Sequence, residues 1–127
     1  MENIKKIKIR KFSDLISWQE AHKLVLMIYK ITKNFPNNEQ YGIVMQLRRA
    51  VISITSNIVE GFTRKSYREK IRFYYMAISS LVEVQSQIVV SRDIDYIDHN
   101  DFNQFSKQSI FVSKLINGLI KGAKKKL

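Results

Sequence analysis

Gln46, Arg49, Ser53, Asn57 and Glu60 follow one another in steps of three and four residues, the spacing that sets side chains on one face of a helix. Ser80, Glu83 and Gln87 repeat the pattern further along. A solvated face would carry Lys and Glu, whereas this one carries mostly short uncharged residues that form helix poorly. Such side chains hydrogen-bond and ion-pair across packed helices. Three uses stand open: a polar layer within one chain, a contact between subunits, or a ligand site.

Acid–base catalysis asks for something else, a base held by a partner beside a nucleophile. His22 falls within a helical stretch next to an apolar stripe and is expected to be a satisfied interior histidine. His99 falls in an acidic loop. Neither stands at metal-ligand spacing from another His, Cys or carboxylate, and no Glu-x-x-His pair of the kind that builds metal sites in helical bundles occurs. There is no Gly-rich phosphate loop and no Gly-x-Ser-x-Gly turn. Cysteine is absent, which removes disulfides, thiolate ligands and a thiol nucleophile. Glu60 and Glu83 are the acids expected inside the helical packing, answered by Arg48 or Arg49. The reading is a non-enzymatic protein with no metal and no cofactor.

The chemistry that remains is electrostatic. Twenty-two Lys and Arg against 11 Asp and Glu give a net charge of +11. Positive charge of this size neutralises phosphates in nucleic-acid binders, and it also suits a generally basic, soluble surface. The aromatic run Phe73-Tyr74-Tyr75 follows Arg72 and has rings able to stack on bases. Tyr74 belongs to an apolar stripe, however, and Phe73 is expected at a helix or subunit contact. Tyr67, between Arg64 and Arg68, is the better placed ring.

Four helices must position these groups. The first is expected from about Asp14 to Asn34, capped by Ser13, with Trp18, Ala21, Val25, Ile28 and Thr32 as its stripe and Leu24, Ile31 and Phe35 beside it. Phe35-Pro36-Asn37-Asn38 stops it. The second runs from about Glu39 to Glu60, with Gly61 as the residue that closes its end. Its apolar stripe is Val44, Leu47, Val51, Ile54 and Ile58. Ser66 and Glu69 fit a capping box that opens a third helix reaching about Arg92, with Tyr74, Ala77, Leu81, Val84 and Ile88 inward. A polar break, residues 93–98, precedes a fourth helix from about Asn100. Its stripe is Phe102, Phe105, Ser109, Val112, Ile116 and Leu119, and it frays into Gly122 and the Lys124-Lys125-Lys126 tail.

A chain of 127 residues with one Pro and four Gly is one domain and not an all-β fold. The expected fold is all-α, an antiparallel up-down-up-down four-helix bundle, with a basic arm over residues 1–11, the bundle over 12–122 and a basic tail over 123–127. No window approaches 18 apolar residues and no signal peptide is expected at the start, so the expected compartment is the cytoplasm. In this topology the chain entry, the second interhelical loop and the end of the last helix share one end. They bring together Lys5, Lys6, Lys8, Arg10 and Lys11, then Arg64, Lys65, Arg68, Lys70 and Arg72, then Lys121, Lys124, Lys125 and Lys126, fourteen of the 22 basic residues. Glu39, Asp93, Asp95, Asp98 and Asp101 gather at the other end. The second and third helices pair where residue numbers sum to about 130, which sets Arg49 near Glu83, Ser53 near Ser80, and Asn57 near Phe73 or Met76.

The sequence also resembles a known family. Phe12-x-Asp14-Leu15-x-x-Trp18-Gln19-x-Ala21, Tyr29, Phe35-Pro36-x-x-Glu39-x-Tyr41-Gly42, Gln46-Leu-Arg-Arg-Ala and Ser53-Ile-x-Ser-Asn-Ile-x-Glu-Gly61 are similar to bacterial four-helix-bundle proteins encoded within intervening sequences of large-subunit ribosomal RNA genes. Ala77-Ile-Ser-Ser-Leu-Val-Glu83 and Tyr96-Ile97 fit the same pattern, which covers about residues 12–120. Ser79 departs from it, since the family usually carries a small residue, often Gly, there. A relative of that family is the accessory variability protein of diversity-generating retroelements, a basic pentamer working with a reverse transcriptase and nucleic acid. The resemblance implies a bundle that assembles as a homopentameric ring, with Gln46, Arg49, Ser53, Asn57, Glu60 and Glu83 organising the bundle or its subunit contacts and the basic end turned to nucleic acid.

The expected partners are other copies of the chain and RNA or DNA, bound through the phosphate backbone with low sequence specificity. The alternative is a scaffold for an acidic or nucleic-acid-processing protein. A membrane surface is not expected as a partner, since the basic tails lack bulky apolar neighbours.

Overall fold

A computed structural model describes residues 8–127. Lys5 and Lys6 lie outside the described residues. Four α-helices follow a short 3-10 turn at Phe12–Asp14: α1, Ile16–Thr32; α2, Ile43–Thr63; α3, Tyr67–Asp93; and α4, His99–Lys124. A second 3-10 turn, Asn37–Glu39, bridges α1 and α2. Each helix packs against the next and α4 closes against α1, so the described residues form an all-α four-helix bundle.

The three-four spacing is what sends these segments inward. Leu47, Val51, Ile54 and Ile58 of α2 are wholly buried, and Ala77, Val84 and Ile88 of α3 face them from the same core. The α1 stripe is rotated from the expected one. Leu24 and Ala21 sit at its centre while Trp18 and Val25 are only half-buried at its margin, with the indole lining a surface groove beside Thr55, Ser56 and Val59. On α4 the stripe continues to Ile120 and Ala123, with Leu119 at its margin.

Helix ends differ from expectation in three places. Ser13 does not cap α1; it belongs to the first 3-10 turn, where the Asp14 carboxylate accepts the backbone N–H groups of Arg10 and Lys11 at 3.0 and 3.1 Å. These bonds hold the Asp14 pKa below its ordinary value. Glu39 opens no helix, since α2 begins four residues later. Gly61 does not end α2 either. The helix continues to Thr63, and the ammonium of Lys70 takes the carbonyls of Gly61 and Phe62 at 3.2 and 2.8 Å, a cation at a helix C-terminus.

The expected Ser66 cap is present, with Ser66 Oγ accepting from the Glu69 N–H at 3.3 Å. Asp98 caps α4 in the same way, accepting from the Asp101 N–H at 2.8 Å.

The loops settle the bundle's polarity. Tyr96, between α3 and α4, donates its hydroxyl to Glu39, between α1 and α2, at 2.7 Å, and its ring leans on Phe35 at 5.2 Å. The two acidic loops are therefore neighbours at one end. The carboxylate of Glu39 raises the Tyr96 pKa. At the other end Lys124, near the close of α4, donates to the Tyr75 hydroxyl in the first third of α3 at 2.9 Å.

Candidate nucleic-acid interface and polar groove

The α2–α3 contact follows the expected register. Ser53 Oγ and Ser80 Oγ are 2.9 Å apart, and Gln87 donates to Gln46 Oε1 at 3.3 Å. Two small hydroxyl side chains let the helices approach closely, and the Asn57 amide is used locally, donating to the Ser53 carbonyl and hydroxyl at 2.9 and 3.1 Å. Above this layer a groove of about 580 Å³ opens, lined by Gln46, Arg49, Ala50, Ser53, Glu83 and Gln87.

The two acids expected inside the packing are not there. Glu83 and Arg49 are exposed on the groove's lips, and no ion pair joins them among the described residues. The seam lies at the outer edge of the helix contact, where charged ends stay in water, while Glu83 accepts a weak bond from Gln87 at 3.4 Å. Glu60 is half exposed and pairs along its own helix with Arg64 at 2.9 Å. Of the two arginines, Arg48 turns toward α1. Its Nε donates to Thr32 Oγ1 at 3.0 Å and its guanidinium lies 4.5 Å from the Tyr29 ring centre.

The acid that is buried was not among the candidates. Glu20, on α1, accepts Lys23 at 2.8 Å and the Gln108 amide of α4 at 3.1 Å, and these bonds lower its pKa. The signal was a Glu one position before Ala21 at the start of an apolar stripe. It reads as an ordinary flanking acid until Gln108 is placed opposite. His22 is exposed and stacks on Trp18 at 4.9 Å. It is not an interior histidine, because the rotation of α1 that centres Leu24 turns this position outward.

The basic end divides into engaged and free cations. Lys70 closes α2. Arg64 is held by Glu60 and lies 4.6 Å from the Phe73 ring centre, with Phe73 itself buried. Lys8, Arg10, Lys11, Lys65, Arg68, Lys121, Lys125 and Lys126 are exposed, as is Arg72, whose guanidinium lies 5.2 Å from the Phe73 ring centre. Beside them a shallow groove of about 510 Å³ is lined by Tyr75, Asn117, Ile120, Lys121, Lys124 and Lys125. Tyr75 differs from the two aromatics it follows, Phe73 and Tyr74, which are buried. Helical rotation of roughly 100° per residue carries it away from Tyr74 and out to solvent. No group of three or more His, Cys, Asp or Glu among the described residues could hold a metal.

Residues 13–118 match the family described as 23S rRNA-intervening sequence protein. The chain belongs to that family. A crystal structure of a protein of unknown function from the S23 ribosomal protein family of Bacteroides thetaiotaomicron has the same fold. It is 20% identical, with a TM-score of 0.75 over 84% of this chain and 99% of that one. None of the curated proteins compared matches the chain. For this member of the 23S rRNA-intervening sequence family, the resemblance read from the motifs over residues 12–120 holds as to family and fold. No helix among the described residues is long and apolar enough to cross a membrane.

Proposed function

We propose that this protein is a non-enzymatic, cytoplasmic homo-oligomer, a pentameric ring of bundles, that binds nucleic acid, RNA or DNA, through phosphate contacts at its basic end with low sequence specificity. The observation that carries the reading is the sorting of charge. The exposed lysines and arginines before the Phe12–Asp14 turn, at the start of α3 and at the end of α4 belong to one end, while Glu39, Asp95 and Asp98 belong to the loops joined by Tyr96 at the other. A polarised rod of this kind orients a polyanion toward one end. The cations sit on long exposed side chains with no groove-reading element beside them, which favours backbone contact over base readout. A ring would multiply modest contacts by avidity.

Binding of the purified protein to a structured RNA and to a DNA duplex, each across a salt series, tests it. Affinity that falls steeply with salt is the expected result, with a slope of about 0.9 per phosphate neutralised on duplex. No binding to either at low salt overturns the reading and leaves the scaffold for an acidic or nucleic-acid-processing protein.

A further inference from the structure

The shallow groove between α3 and α4 at the basic end has a composition that general charge does not explain. One wall is the ring of Tyr75, 47% exposed although its neighbour Tyr74 is buried. The other is a stripe of α4 in which Asn117, Ile120, Lys121 and Lys124 follow at helical spacing, with Lys125 at the rim. The Lys124 ammonium lies 2.9 Å from the Tyr75 hydroxyl and 5.4 Å from the ring centre. At those two distances it stands outward of the hydroxyl and not on the ring face. The lysine thus bonds the hydroxyl end of the ring and covers neither of its faces. The ring is oriented, apolar Ile120 forms part of the wall, and three ammonium groups ring the opening.

We propose that this groove is a stacking subsite for one unpaired nucleotide of a single-stranded nucleic acid. The base lies on the Tyr75 ring. The Asn117 amide, with a donor and an acceptor, meets the base edge. Lys121, Lys124 and Lys125 hold the flanking phosphates. Every base has a π-face, so the stack on Tyr75 favours single strand over duplex whatever the base. A paired base is stacked inside its helix and has no face to offer. The proposal rests on the phosphate-binding reading and adds to it a preference for unpaired nucleotides.

The test compares a short oligouridine with an RNA duplex of equal length at one salt concentration, for the wild type, Tyr75→Leu and Tyr75→Phe. Tyr75 is exposed, and matching thermal unfolding of the three proteins confirms that each is folded. The wild type is expected to bind the single strand more tightly than its charge alone gives. Tyr75→Leu is expected to lose about ten-fold on the single strand and to keep its duplex affinity and salt slope. Tyr75→Phe, which keeps the ring and drops the Lys124 contact, is expected to stay near the wild type. A Tyr75→Leu protein that binds both nucleic acids as the wild type does overturns the stacking subsite and leaves phosphate binding standing. A wild type that binds neither overturns the phosphate reading and this one with it. Equal loss on single strand and duplex overturns the subsite as well, since it would make Tyr75 a support for Lys124 alone.

Discussion

The ring of Tyr74 fills the space where a β-carbon on Gly61 would stand: such an atom would lie 2.4 Å from Tyr74 Cε1 and 2.7 Å from Cδ1. Gly61 is buried inside α2 with helical neighbours on both sides, so it serves close approach between α2 and α3 and not a left-handed helix end. At an open helical site Gly→Ala gains about 1 kcal/mol from propensity. Here the added methyl must displace a buried ring, and overpacking of that kind costs about 1–3 kcal/mol. Gly61→Ala is therefore expected to lower the denaturant midpoint. Gly61→Ala combined with Tyr74→Leu should recover part of that loss, giving a coupling energy in a double-mutant cycle. Additive losses would show that the ring is not what the methyl meets.

Asp95 is the one described non-glycine residue with positive φ, at 65°. The Tyr96 N–H reaches back to the Ser91 carbonyl at 2.8 Å and the Asp95 N–H to Arg92 at 3.0 Å, the paired closure of a Schellman end. That end favours Gly, and a left-handed non-glycine residue costs about 1–2 kcal/mol. Part of this is returned by the freer unfolded chain that Gly brings. Asp95→Gly should stabilise the protein by about 0.5–1 kcal/mol and raise Tm by a few degrees. A lower Tm would mean that the Asp95 side chain contributes a contact that outweighs its backbone strain.

Glu20 couples the fold to acid pH. Its folded pKa lies below the ordinary 4.5 because Lys23 and Gln108 bond the carboxylate. A depressed carboxylate pKa stabilises the fold above its unfolded value, and that stability is lost as pH falls through the lowered folded value. Stability should therefore decline below about pH 4.5 partly through this group. Glu20→Gln should cost about 1 kcal/mol at neutral pH, and the gap to the wild type should narrow as the pH drops. A gap that stays constant from neutral to acid pH would assign the loss to packing and not to charge.

How far the sequence disclosed this molecule depends on which force set each feature. The stripes of α2 and α3 were legible because Val44 to Ile58 and Tyr74 to Ile88 keep one period without interruption, and the number-sum rule then placed Ser53 on Ser80. Ends were less legible. Gly61 carries the residue type of a helix stop, and only the position of Tyr74 on the partner helix shows its other use. Lys70 looks like one more surface cation until the carbonyls that it closes are in view. The candidate site was legible as charge but not as shape. Lys124, Lys125 and Lys126 were plain, whereas Tyr75 becomes accessible only through the rotation of α3, and Asn117 and Lys121 join it only because α4 runs alongside.

The residues of the polar groove divide by what they already touch. Arg48 is satisfied within the chain by Thr32 and Tyr29. Arg49 is exposed with no carboxylate in ion-pair reach among the described residues. Covering the groove with a second copy would bring acceptors to the exposed Arg49 guanidinium. Arg49→Ala is then expected to leave the bundle folded and to lower its mass in solution toward the 15.0 kDa of one chain. Ser53→Trp, which props α2 from α3 at the 2.9 Å hydroxyl contact, should do the same with some loss of stability. Arg48→Ala should do the reverse, lowering Tm and keeping the mass. Light scattering with thermal unfolding on the three variants separates the cases. An unchanged mass for Arg49→Ala and Ser53→Trp would remove the groove as a subunit contact and leave the seam as a polar layer of the single chain.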